Sequence, residues 1–161
     1  MAYLTPETID PQAFLAAPTD YHRGASVLFL GIVRDHSQAK QVLFLEYEAY
    51  ESMAEALLDQ LVLAAKAQWP LAHVRLRHRI GRVHLGEIAV AIEVSSAHRD
   101  EAYRASRFLI DEIKHRVPIW KKEHFSDGSS EWSLCRHPAA HPHHEHPHPV
   151  AVTPGVAPSG M

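Results

Sequence analysis

Between Ile88 and Pro118 the chain changes hydrophobic period once and then stops, which leaves few folds open to it. Ile88, Val90, Ile92 and Val94 alternate with smaller or polar residues, the pattern of a β-strand. From about Arg99 to Arg116, Ala102, Ala105, Leu109, Ile110 and Ile113 recur at helical spacing. Asp100 and Glu101 fall in the positive first turn of that helix, and Ser95 or Ser96 is placed to cap it. Pro118 fixes its own φ and keeps Val117 out of the helical region, so the helix must end near Arg116 and the chain must turn.

The preceding half follows the same two periods. Ala25 to Leu30 reads as a largely buried strand running into Gly31 and Arg34, and Val42 to Tyr47 as another. Tyr50, Met53, Ala54, Leu57, Leu58, Leu61, Ala64 and Ala65 then mark a helix that Trp69-Pro70 stops. Val74, Leu76, His78 and Ile80 alternate with Arg75, Arg77 and Arg79, which predicts a half-exposed strand with a basic outer face. Asp127-Gly128 predicts the turn of a final hairpin containing Trp132. This mixture indicates an α+β domain with a mainly antiparallel sheet and two long helices.

Composition bounds the domain and its partners. After Arg136 the chain carries six of its 14 histidines and six of its 11 prolines, with no Lys or Arg and few large apolar residues. Such a segment offers too little apolar surface to offset its ordering entropy, so 137–161 is expected to be a disordered tail on a single domain at 1–136. A formal net charge of −3 argues against general nucleic-acid binding and confines any anion site to a local cluster. No apolar run reaches membrane-span length, and the single Cys135 excludes an internal disulfide framework, so the default expectation is a cytoplasmic protein. Cys135 has the setting of a small buried hydrophobe, and the histidine tail that of weak, incidental metal capture.

The candidate chemistry is cationic. Lys114 through Glu123 set three lysines around a rigid Pro-Ile-Trp wedge, one helix's length beyond His98-Arg99. The Pro118 turn brings Lys114 towards Lys121. Crowded, desolvated ammonium groups lose protons more readily, which is how lysine becomes a base or nucleophile. In an extended segment Lys121 and Lys122 point to opposite faces, so only one enters a site. Ile119 and Trp120 read as packing residues, Arg34 alone as an exposed charge beside Asp35, and Lys114 alone as a cation favoured at a helix end. His98-Arg99, at a strand end and helix start, suits either an anion site or a solvated helix cap.

These pieces together resemble the large, catalytic subunits of molybdopterin synthase. The matching stretches are Gly31 to Arg34, Leu45 to Tyr50 with Met53-Ala54, His78 to Gly81, Gly86-Glu87, Ser96 to Arg99, and Lys114 to Glu123. The resemblance implies a hammerhead-like α/β fold and a homodimer flanked by two small ubiquitin-like subunits. Each small subunit inserts a C-terminal Gly-Gly thiocarboxylate, and two sulfurs pass to cyclic pyranopterin monophosphate to form the molybdopterin dithiolene. It implies Lys114 and Lys121 as catalytic residues. Substrate contacts would come from Ile32, Val33, Arg34, His98, Arg99, Lys122, Glu123 and Arg136, besides the two lysines. Sulfur comes from the partner, so no metal or cofactor is required. Ile32 is apolar where the family often has a polar residue. Two other readings compete: a lysine-dependent acyl or Schiff-base catalyst, and a phosphate- or RNA-binding α+β module using Arg75, Arg77, Arg79 and the 114–122 cluster.

Overall fold

Two antiparallel sheets and two long helices form around the strand–helix switch that the periodicity marks. The structure is a computed structural model and describes residues 2–15 and 20–133. The strands are β1 (Leu4–Thr5), β2 (Ala25–Ile32), β3 (His36–Ser37), β4 (Lys40–Ala49), β5 (Leu71–Arg79), β6 (Gly81–His84), β7 (Ile88–Ser96), β8 (Ile119–Phe125) and β9 (Ser130–Ser133). The helices are α1 (Pro11–Leu15), α2 (Glu51–Gln68) and α3 (Arg99–Arg116). Leu134 onward, including Cys135, Arg136 and the proposed tail, lies outside the described residues.

The first sheet has the order β1-β5-β7-β2, antiparallel except where β1 runs parallel to β5. The second has the order β3-β4-β8-β9, with β6 also paired to β4. The sequence pattern implied one sheet. The second arises because β4 carries β6 and β8 on its two edges, a long-range pairing that local periodicity does not encode. Helix α3 lies against β7 and β2, and α2 packs on α3 and β5. Leu58, Leu61, Leu109, Ile113, Ile92 and Val94 lie in the resulting core. No helix among the described residues is long and apolar enough to cross a membrane.

Three expectations need correction. Ser95 and Ser96 are fully buried in β7 and do not cap α3; His98 is the cap residue, with no side-chain cap bond. The β7 strand runs on to Ser96 because it is sandwiched by β2 and β5 and gains ladder bonds from both. The outer face of β5 is not a free basic stripe: Arg79 is buried against the Arg82 carbonyl, 3.0 Å away, and the Glu87 carboxylate, 3.7 Å away. Arg75 donates to the Ala13 carbonyl of α1 at 2.5 Å. The N-terminal β1 and α1, too short to show a period, cover that side. Finally, α2 buries Ala54, Leu58, Leu61, Val62 and Ala65, a narrower stripe that leaves Tyr50, Met53 and Ala64 exposed.

Candidate active site

The chain after β2 is set by a close approach. A side chain at Gly31 would bring a Cβ to 2.6 Å from Val90 Cγ1, so only glycine lets β2 pass β7 at this point. The register slips between Gly31 and Ile32, and the strand bends away from the sheet there. Backbone bonds from Val33 to the Glu87 carbonyl (3.0 Å) and from Gly86 to the Val33 carbonyl (2.8 Å) hold the exit. The Asp35 carbonyl accepts from Val42 at 2.8 Å. Arg34 is thus anchored on both sides. Asp35 pairs with the next residue, His36, at 2.7 Å.

The lysines arrive from the other direction. Helix α3 ends where Val117 turns extended, with φ −81° and ψ 129°, as the following proline requires. The Pro118 carbonyl accepts from Tyr50 N–H at 3.1 Å, fastening the turn to the start of α2. Strand β8 then pairs with β4, setting Lys121 opposite Tyr47 and Glu123 opposite Leu45. Alternation puts Lys121 and Glu123 on the inner face, while Lys122 reaches over the Trp132 ring at 5.5 Å on the other. Ile119 is buried as expected, but Trp120 is 41% exposed, because it occupies an outward position of the same alternation.

Arg34, Lys114 and Lys121 converge on one cavity of about 550 Å³, lined also by Ile32, Val33, Tyr47, His78 and Glu123. Its apolar wall comes from Phe29, Ile110 and Ile113. Three cations face a single carboxylate there, so the cavity favours an anion. Lys121 Nζ lies 2.7 Å from Glu123 Oε1. Burial pushes the Glu123 carboxyl up. Hydrogen bonds from Lys121 and Ser37, with the charges of Lys121 and Arg34, outweigh it and hold the group below its usual range.

The remaining site candidates lie elsewhere. His98 and Arg99 are exposed at the start of α3 and do not line this cavity. Fifteen residues of helix separate Arg99 from Lys114, about 22 Å at the α-helical rise. Arg136 lies outside the described residues. Among the described residues no group of three or more His, Cys, Asp or Glu side chains is placed to hold a metal.

His78 lies in a family-matching stretch, but the sequence assigned it no place in the site. The available signal was its place among Val74, Leu76 and Ile80 on the inward period of β5. Burial pushes its imidazole down to about 4, only partly opposed by its bond to the Arg79 carbonyl. The unfolded ring therefore binds a proton before the folded one. Its contribution to stability is complete above about pH 6.5 and falls as pH drops, with about 3 kcal/mol lost near pH 4. Urea unfolding between pH 7 and 4.5 should show this loss, and a His78→Gln chain should show a shallower one. Equal slopes would contradict a buried neutral ring.

The chain matches a family model described as "MoaE protein" over residues 4–116, a stretch that contains Arg34, His98, Arg99 and Lys114 and stops short of Lys121. A protein of Halalkalibacterium halodurans named molybdopterin synthase catalytic subunit is 50% identical over 107 residues, covering 66% of this chain and 69% of that protein. One of the same name from Nostoc sp. is 44% identical over 118 residues, covering 73% and 72%. The crystal structure of molybdopterin synthase from Staphylococcus aureus superposes with a TM-score of 0.76 at 39% identity, over 82% of this chain and 96% of that one. With a shared fold and this extent of identity, the chain belongs to the MoaE family, the catalytic subunits of molybdopterin synthase.

Proposed function

We propose that this chain, through its domain at residues 1–136, transfers two sulfurs from the C-terminal thiocarboxylate of a small ubiquitin-like subunit to cyclic pyranopterin monophosphate in the cytoplasm. The product is the molybdopterin dithiolene. The observation that carries the reading is the single cavity shared by Arg34, Lys114 and Lys121. Both reactants are anionic, and a confined cationic pocket suits a cyclic phosphate and an incoming carboxyl-terminal tail alike. Lys114 and Lys121 are assigned to proton transfer, to polarising the acyl group, or to transient capture of the tail. Arg34 is assigned to the phosphate, with Ile32, Val33 and Glu123 shaping the pocket around it. Lys122, which reaches over Trp132 on the face away from the cavity, is not assigned to it, and Arg136, outside the described residues, is proposed as a substrate contact only through the family resemblance.

His98 and Arg99 fit the same role through a second protomer. One chain separates them from Lys114 by a helix length, whereas a homodimer is able to bring one protomer's helix start to the other's cavity. A dimer of this chain, with a small subunit at each end, is the assembly proposed.

The direct test is conversion of cyclic pyranopterin monophosphate by this chain with a thiocarboxylated small subunit; absence of dithiolene product would overturn the reading. A second arm co-assembles Lys114→Ala and Arg99→Ala chains. Shared sites predict that the mixture regains turnover absent from either variant alone, and a mixture as inactive as its parents would exclude them.

A further inference from the structure

The cavity contains one buried group that none of these roles uses. His78 lies on β5, opposite Leu4 of β1 and Val90 of β7, and is 6% exposed. Its Nδ1 is 2.7 Å from the Arg79 carbonyl oxygen. A carbonyl only accepts, so Nδ1 carries the hydrogen, and in the neutral ring Nε2 is left as an acceptor. The ring meets Tyr47 edge-on, with centroids 5.1 Å apart, and both side chains line the cavity. Packing and a backbone bond thus hold the imidazole in one tautomer.

The cavity's other charged groups do not duplicate this property. Arg34, Lys114 and Lys121 only donate, Glu123 is engaged by Lys121 and Ser37, and His36, the other imidazole on the lining, is exposed to water and paired through Nδ1 with Asp35. A pterin brings ring and exocyclic N–H groups as well as a phosphate, and each N–H taken out of water needs an acceptor. We infer that His78 is a specificity-determining residue, accepting a hydrogen bond from an N–H of the bound heterocycle while the cations take its phosphate. The inference rests on the pterin reading above.

Two near-isosteres separate recognition from packing. Asn keeps an N–H close to the Nδ1 position and ends short of Nε2; Gln reaches the Nε2 position with a carbonyl oxygen. Binding is measured by calorimetry on the full chain complexed with a small subunit ending in an ordinary carboxylate, so that no turnover occurs. The probes are cyclic pyranopterin monophosphate and, separately, inorganic phosphate. His78→Asn should bind the pterin about tenfold more weakly, the scale of one hydrogen bond, and phosphate as well as wild type. His78→Gln should stay within about threefold of wild type for both probes. Wild-type pterin affinity in His78→Asn would overturn the inference. So would a folded His78→Gln chain that loses as much pterin affinity as His78→Asn, or a parallel loss of phosphate binding. Failure of the wild-type complex to bind the pterin at all would instead remove the substrate assignment, and the inference with it.

Discussion

A Lys114→Ala chain is expected to fold and to assemble with its small subunit, but to lose turnover by on the order of 10²–10⁴-fold, the usual scale for removing a group that moves a proton in the transition state. Lys114 stands in the last turn of α3, half-buried beside Ile113. A cation there contributes only about 0.3–1 kcal/mol through the helix dipole, so stability should change little. Among the described residues Lys114 has no ion-pair partner, whereas Lys121 is held by Glu123. Its amine is thus the uncommitted one in the cavity. Lys121→Ala should behave differently, because it leaves the Glu123 carboxylate buried without its counter-ion. That variant should lose activity and also stability, by about 1–3 kcal/mol. Parallel melting curves and single-turnover rates separate the two cases. Near-normal turnover in a folded Lys114→Ala chain would remove the catalytic assignment.

The second large effect concerns sulfur. The chain on its own should not convert the pterin, and deleting the terminal glycine of the small subunit should abolish transfer even where the subunits still associate. One cysteine in the whole chain cannot relay sulfur through an intramolecular dithiol, in keeping with the proposed donor on the small subunit. A cavity with three cations and one carboxylate suits the anionic tail proposed to enter it, and a shortened tail would withdraw the reacting atoms from the lysines by one residue. Cys135→Ser should leave the rate nearly unchanged. Conversion by the isolated chain with free sulfide at a comparable rate would defeat the two-protein mechanism.

Much of this was legible in the residues themselves. Helix α3 runs over Arg99–Arg116, as its apolar spacing and Pro118 require, because helix period and proline geometry are local properties of the backbone. The opposite facing of Lys121 and Lys122 is local in the same sense, since strand side chains alternate whatever their neighbours are. The motif pieces around Arg34, Lys114 and Lys121 were likewise readable in order. The approach of Lys114 to Lys121 was readable from the Pro118 turn, but the convergence of Arg34 on them was not. It depends on β4 pairing with β8, on β2 bending past β7 at Gly31, and on α3 crossing the sheet, all contacts between residues far apart in the chain.

The same distinction explains the corrections. Arg79 looked exposed because alternation reports which face a residue takes, whereas its burial depends on what covers that face. Glu123 and His78 gain their chemistry from surroundings that several strands supply: two hydrogen bonds and a cation for one, complete desolvation and a carbonyl for the other. Local sequence determined which segments were helix or strand and which side chains carried charge. Only the tertiary structure decided which charges meet and which are stripped of water, because electrostatic energy depends on distance and burial in space and not on position along the chain.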